Sequence, residues 1–175
     1  HFVRIQEQST HLRVPLLAVP LFTGADYIDI ITASLEYLSK RYEIKRLVFG
    51  DLHLEHIRQW RETSFAPLLK RLGLKLHFPI WHCSYEELMR ELIESGVSVE
   101  ITAANFGELR TSVQVGDSFD HDFVKSLPDE VDGFGENGEF HTFVFDSPLF
   151  DNPIDIKTGE LNSEGHYTWI DLKLD

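Results

Sequence analysis

The side chains best suited to chemistry lie in an acidic, glycine-rich segment close to the end of the sequence. This segment is VDGFGENGEFHTFVFDSPLF, residues 131–150, and its candidate reactive groups are Glu136, Glu139 and His141. Its GFGENG portion formally matches the G-x-G-x-x-G pattern of dinucleotide-binding proteins. That fingerprint must follow a strand and open a helix, whereas here a loop leads into a strand-like run. We therefore exclude the dinucleotide interpretation.

The glycines of this segment predict a tight loop whose backbone approaches a ligand closely, with Glu136 and Glu139 projecting from it. Because side chains alternate along a strand, we expect Glu139 and His141 to share one face. Together with Glu136 they could hold a divalent cation or orient a nucleophile. A role in shaping the pocket by hydrogen bonding is favoured over a dedicated metal site. A hairpin-like turn with solvated acids is the alternative.

A second segment, FGDLHLEHIRQWRE at residues 49–62, joins a strand to a helix. Gly50 and Asp51 fall at the end of the strand, where they could meet a nucleotide, and Arg58 could turn towards phosphate or a carboxylate. The alternative is a polar helix face on which Arg58 pairs with Glu62. His53 and His56 are three residues apart, which is not the H-E-x-x-H spacing of zinc enzymes.

Trp81, His82 and Cys83 follow another predicted strand. These residues could line the same pocket as Gly50 and Asp51, although a position at the rim of the core is the commoner case for a tryptophan. Adjacent residues in an extended segment point apart, so His82 is badly placed to activate Cys83 as a nucleophile. The sequence contains no G-x-S-x-G elbow, Walker A loop or C-x-x-C pair.

The elements that must position these residues alternate along the chain. Apolar runs predict strands at 16–21, 46–51, 75–81 and 97–104, and helical periodicity with caps predicts helices at 27–42, 53–73, 84–96 and 119–128. Strands separated by helices are joined in parallel by crossovers, so we predict an α/β fold with a layered, mostly parallel sheet and helices on both faces. Residues 139–146 and 166–174 predict a β-rich extension of one domain, 1–175. Ligands in such sheets bind at the carboxyl ends of the strands.

Composition narrows the function classes. A net charge of -13 disfavours a nucleic-acid partner, because phosphate binding needs clustered Lys and Arg. No apolar run reaches the roughly 20 residues of a membrane span, so we expect no membrane partner. The single cysteine weakly favours a reducing, cytoplasmic location. The chain begins at His1 with what looks like the end of an amphipathic helix, so we expect it to be part of a longer protein.

Two of these segments together resemble the PP-loop ATP pyrophosphatases of the diphthine-ammonia ligase type, within the adenine nucleotide alpha hydrolase superfamily. GENGEFHTFVFDSPLF resembles the signature G-E-x-G-E-[FY]-x-T followed by D-x-P-L-F. FGDLHLEHIRQWRE resembles the family's second motif, although Asp51 and His53 stand where the ligases tend to have small residues. The resemblance covers essentially the whole chain and implies a HUP/Rossmann-like fold.

The resemblance also implies an activity, an ATP-dependent amide ligase. In such enzymes a substrate carboxylate attacks the α-phosphate of Mg²⁺-ATP, pyrophosphate leaves, and ammonia converts the acyl-adenylate to an amide. It implies ATP and Mg²⁺ as cofactors, and ammonium and a carboxylate, with diphthine on elongation factor 2 as candidate, as partners. Glu136, Glu139 and Arg58 would be catalytic. The cofactor-binding residues would be Gly50, Asp51, Gly135, Asn137, Gly138 and His141.

The sequence departs from the family in one respect, since no S-G-G-K-D-S phosphate loop occurs in it. Such a loop supplies backbone N–H groups and a lysine to the phosphates of ATP. We therefore expect this chain alone to be inactive. A non-catalytic nucleotide-binding or regulatory module on the same fold is the alternative function, and a metal-dependent hydrolase using His53, His56, Glu139 and His141 is a third hypothesis.

Overall fold

The chain forms two compact units in a computed structural model that describes residues 2–109 and 114–174. We call Leu17–Cys83 the parallel unit, and His1–Leu16 with Ser84–Asp175 the antiparallel unit, after the sheets they contain. The prediction of one domain over residues 1–175 stays a prediction, because compact units can belong to one domain or to two.

The described residues contain six helices and six strands. In chain order they are α1 (Phe2–His11), α2 (Tyr27–Ser39), β1 (Arg46–Val48), α3 (Glu55–Leu72), β2 (Lys75–His77), α4 (Tyr85–Glu94), β3 (Ser98–Asn105), α5 (Phe106–Leu109), α6 (His121–Ser126), β4 (Phe140–Asp146), β5 (Ile156–Glu164) and β6 (Tyr167–Leu174). None of the described helices is long and apolar enough to cross a membrane.

The helix boundaries follow the local signals in the sequence. Ser84 caps α4 by accepting a hydrogen bond from the Glu87 N–H at 3.2 Å, and Asp120 caps α6 through two backbone N–H groups. Gly73 ends α3 in the left-handed conformation, φ 68°, which a residue without a Cβ adopts at little cost. The four predicted helices and the opening helix are therefore confirmed, with ends shifted by a few residues.

The parallel unit holds a two-stranded sheet in which β1 and β2 run in the same direction. The helix α3 connects them, as a parallel crossover requires. Both strands end at one edge, where the Phe49 N–H donates to the His77 carbonyl at 3.1 Å and the His82 N–H donates to the Leu52 carbonyl at 2.8 Å.

The antiparallel unit is built on a four-stranded sheet with the order β4-β3-β6-β5. A tight turn at Gly165, φ 62°, joins β5 to β6 as a hairpin. The main core of the unit packs around β3, α4, α6 and the start of β4, with Met89, Val99, Ile101, Ala104, Leu109, Phe119, Phe123 and Phe140 buried.

The mixed α/β class is confirmed, but a mostly parallel sheet is wrong for the described residues. The run 97–104 was expected to extend the parallel sheet, whereas β3 pairs antiparallel with both β4 and β6. The C-terminal strands were expected to close that sheet and instead form the antiparallel one with β3. The reason is that a two-residue hairpin fixes β5 and β6 antiparallel, and β3 finds its partners far along the chain.

A second difference concerns residues 16–21, predicted as a buried strand. They form no regular element and pair with no strand among the described residues, and Leu17, Leu21 and Phe22 are exposed. Pro15 and Pro20 lack N–H donors, which weakens any ladder they could form.

Candidate functional site

The acidic glycine-rich segment forms a compact loop at residues 131–139, immediately before β4. Gly135 and Gly138 have positive φ, 71° and 87°. A Cβ at Gly135 would lie 3.0 Å from the Phe140 carbonyl oxygen, so both backbone conformation and space require glycine there. The tight loop predicted from the glycines is confirmed.

Glu139 holds this loop from the inside. Its carboxylate is buried, with the residue only 3% exposed. One oxygen accepts hydrogen bonds from the Asp132 N–H at 3.0 Å and the Asn137 side-chain amide at 3.1 Å, and the other accepts from the Asn137 N–H at 3.0 Å. A carboxylate engaged by three donors and shielded from solvent braces the loop, and it has little capacity left for a substrate or cation.

Asp132 is a second internal acceptor that the sequence did not single out. Its Oδ1 accepts from the N–H groups of Phe134 at 2.9 Å and Glu136 at 3.1 Å. Its Oδ2 accepts from the Tyr85 hydroxyl at 2.7 Å. The Gly135 and Gly138 N–H groups donate to the carbonyls of Asp132 and Gly135. The five backbone N–H groups from Phe134 to Gly138 thus all have acceptors within the loop.

Elsewhere in the loop, Glu136 is half-buried and Asn137 is exposed. His141 is exposed on β4. The expectation that Glu139 and His141 share a strand face is wrong, because β4 begins at Phe140 and Glu139 belongs to the loop. The Glu139 carboxylate points back into the loop and accepts hydrogen bonds from the N–H groups there. Whether any of these residues contacts a ligand stays a prediction.

The second group of predicted residues lies at the carboxyl edge of the parallel unit. Gly50 is exposed, and a Cβ there would meet no described atom within 4 Å, so the fold itself does not demand glycine. Asp51 forms a two-pronged ion pair with Arg61, at 2.6 and 2.9 Å. The Arg61 guanidinium also lies 4.0 Å from the centroid of the Phe49 ring. Sequence analysis missed Arg61, whose only signal was a position one helical turn beyond Arg58.

Arg58 is held far more loosely than Arg61. It pairs with Glu62 at 2.9 Å across one turn of α3, as the alternative interpretation expected, and the Glu62 side chain is 48% exposed. Its guanidinium lies 4.8 Å from the Trp81 ring centroid and 5.1 Å from that of Phe78. An exposed pair of this kind contributes only about 0.5 kcal/mol. Arg58 can therefore exchange Glu62 for a phosphate or carboxylate at little cost, while Arg61 cannot leave Asp51 as easily.

Trp81 is half-buried at the same edge, where it packs against Arg58 and stacks on the His82 ring at 4.8 Å. His82 has φ 57°, an uncommon conformation for a residue other than glycine. The described part of the chain contains no group of three His, Cys, Asp or Glu side chains placed to hold a metal ion.

Electrostatics single out one residue near the loop, Tyr85. Burial, its hydrogen bond to Asp132, and the negative charges of Asp132, Glu136 and Glu139 raise its pKa well above the usual range. The hydroxyl therefore remains a donor to Asp132.

Comparison with known proteins places the loop within a recognised family. The family of the diphthamide synthase C-terminal domain matches residues 84–174, just over half of the chain. This match begins at the residue where the second segment of the antiparallel unit begins. The chain belongs to this family.

Relatives with curated names are similar over most of this chain. Diphthine–ammonia ligase of Schizosaccharomyces pombe is 28% identical over 141 residues, covering 74% of this chain and 23% of the yeast protein. The Rattus norvegicus and Homo sapiens proteins of the same name are 25% and 24% identical, covering 77% and 78% of this chain. The chain spans about half the length of these two mammalian relatives, 51% in each case.

Proposed function

We propose that this chain forms part of an ATP-dependent amide ligase acting in diphthamide biosynthesis. A carboxylate would attack the α-phosphate of ATP, pyrophosphate would leave, and ammonia would displace AMP from the resulting acyl-adenylate to give the amide. Diphthine on elongation factor 2 is the candidate carboxylate. Family membership and the shared name of the relatives support this proposal.

The observation that carries the proposal is the braced loop at residues 131–139. The carboxylates of Glu139, which is buried, and Asp132, which is half-buried, fix its backbone, and Glu136 is half-buried. A preorganised acid of this kind can orient an ammonium ion or a cation without rearranging during the reaction. Arg58, loosely paired with Glu62, is available to offset negative charge on a phosphate.

The candidate residues differ in how well they are suited to bind ATP and Mg²⁺. Mg²⁺ in nucleotide enzymes is held by one or two carboxylates together with phosphate oxygens and water. We assign this role to Glu136 because it is an acid of the family's signature loop; Asp51 is neutralised by Arg61, and the Glu139 oxygens are occupied. The loop N–H groups already have internal acceptors. Gly135 and Gly138 would therefore let the ligand approach the backbone closely, and Asn137 would contact it through its side chain.

The remaining features of the proposal follow from the family. The enzyme would be cytoplasmic and HUP/Rossmann-like, with Gly50 and the parallel edge near the nucleotide. His141 and the loop would face the carboxylate substrate. Nucleic acid and membranes are not proposed as partners, given the net charge of -13.

The decisive experiment is ATP:pyrophosphate exchange by the full-length protein, with diphthine-bearing elongation factor 2 as the carboxylate. We expect exchange that depends on this substrate, and a loss of about 100-fold in kcat/KM for Glu136→Gln. Glu94→Gln, which changes an exposed acid at the end of α4, should leave the rate unchanged. Absence of exchange by the wild-type protein with every carboxylate supplied would contradict the proposal.

A non-catalytic nucleotide-binding module is the second candidate. The N–H groups of the acidic loop are engaged internally, which favours it. ATP binding measured by calorimetry in the absence of any exchange would select this candidate over the ligase.

A further inference from the structure

The helix α4 meets the acidic loop through its first residue, Tyr85. The Tyr85 ring packs on the Phe134 ring with centroids 4.7 Å apart. A Cβ at Gly133 would lie 3.3 Å from the Tyr85 ring, so the ring sits closely over the loop backbone. Ser84 caps α4 immediately before Tyr85 and so fixes the residue at which the helix begins. The loop therefore packs against the N-terminal end of α4, which the Ser84 cap holds in place.

Hydrogen bonds continue from this contact to the proposed catalytic acid. The Tyr85 hydroxyl donates to Asp132 Oδ2 at 2.7 Å, and Asp132 Oδ1 accepts from the Glu136 N–H at 3.1 Å. Tyr85 and Asp132 are 47 positions apart, so folding must bring them together. The Asp132 carboxylate therefore ties the backbone of Glu136 to α4.

We infer that Tyr85 and Asp132 are positioning residues that hold the 131–139 loop in the shape presenting Glu136 to the substrate. This inference rests on the proposed function for its catalytic consequence, but the restraint on the loop is a property of this chain alone. A loop freed from the restraint samples other shapes, and the competent fraction falls. The apparent affinity for substrate falls by the same factor, whereas the rate from the bound, competent state is retained.

The first arm of the test measures backbone amide hydrogen exchange in the full chain. Tyr85→Phe removes only the hydroxyl, and Asp132→Asn keeps the shape while weakening the acceptor. We expect exchange at Phe134 and Glu136 to become about tenfold faster in both variants, as loss of a charge-assisted hydrogen bond allows. Amides in β3 should be unchanged. The matched controls are Tyr167→Phe and Asp129→Asn, which alter exposed side chains of the same unit.

The second arm measures ATP:pyrophosphate exchange by the full-length protein with diphthine-bearing elongation factor 2. We expect Tyr85→Phe to raise KM for this substrate about tenfold with kcat within about twofold of wild type. A purely structural role would lower the melting temperature and the amount of active protein without raising KM.

The two arms separate failure of this inference from failure of the proposed function. An inactive wild-type protein removes the ligase proposal, and faster loop exchange in the two variants would still support the restraint. Unchanged loop exchange in Tyr85→Phe and Asp132→Asn overturns the inference, as does an active Tyr85→Phe enzyme with unaltered KM.

Discussion

At the scale of single residues, the family's signature acids have different roles. Glu139 is 3% exposed and accepts three hydrogen bonds from its own loop, whereas Glu136 is partly open to solvent. The spacing of the two glutamates suggested that both project from the loop. Their different burial identifies Glu139 as a bracing residue and Glu136 as a candidate for catalysis.

Replacing Glu139 by glutamine should destabilise the protein markedly. The amide group of glutamine would place N–H donors against the donors of Asp132 and Asn137, and each charge-assisted bond contributes about 1.5 to 3 kcal/mol. We expect the free energy of unfolding, measured by urea denaturation, to fall by about 2 to 3 kcal/mol. Glu164→Gln, at an exposed position of β5, should change it by less than about 0.5 kcal/mol. Equal effects of the two substitutions would contradict the bracing role.

At the scale of elements, an ion pair fastens α3 to the end of β1. Asp51 lies three residues beyond the end of β1, and its partner Arg61 lies almost two turns into α3. The two side chains are 13% and 19% exposed, and the geometry is two-pronged. Arg58 and Glu62 form another ion pair of this helix, within one element and with side chains 32% and 48% exposed.

A double-mutant cycle should distinguish these two pairs. Asp51→Asn combined with Arg61→Gln is expected to give a coupling free energy of about 1 to 3 kcal/mol, because the pair is shielded and bidentate. Glu62→Gln combined with Arg58→Gln should give about 0.5 kcal/mol or less. Unfolding in urea measures both, and similar couplings would show that Asp51 is not committed to Arg61.

At the scale of the whole molecule, the first residues of the chain pack with the last. In the antiparallel unit, Arg4 of α1 is buried. The negative charges of Asp171 and Glu100 attract its guanidinium. Gln8 donates to the Val144 carbonyl at 2.8 Å. Arg13 pairs with Asp151 at 2.5 and 2.8 Å, but this pair is largely exposed, at 77% and 46%.

The two arginines should therefore contribute unequally to stability. Arg4→Met leaves the charges of Glu100 and Asp171 without their buried partner, and we expect a loss of about 3 kcal/mol in the free energy of unfolding near neutral pH. Arg13→Met should cost less than about 1 kcal/mol. Urea unfolding of both variants measures the difference, and an equal loss would contradict it.

The deficit of Arg4→Met should also depend on pH. Burial already raises the pKa of Glu100, and Arg4 opposes that rise. Without Arg4 the folded-state pKa of Glu100 rises further, so the destabilisation from ionising Glu100 builds up as the pH rises from its unfolded to its folded pKa and stays in full above that. The deficit should shrink as the pH falls below about 4, where Glu100 is mostly protonated in both states. A deficit that grows on acidification would contradict this account.

Local signals in the sequence account for the features that depend on neighbouring residues. Ser84, Asp120 and Gly73 set helix ends through bonds within a few positions, and the glycines at 135 and 138 fixed a tight loop. The signature around Glu139 indicated the family, which the match over residues 84–174 confirmed.

The partners that distant groups find become visible in the folded chain alone. Pairing of β3 with β4 and β6, the bond from Tyr85 to Asp132, and the electrostatic attraction between Arg4 and Asp171 join positions far apart in the chain. Strand direction and hydrogen-bond partners at such separations are fixed by burial and pairing of the whole sheet, and local periodicity carries no information about them. For the same reason, the sequence identified Glu139 as important but did not reveal that its carboxylate faces inward.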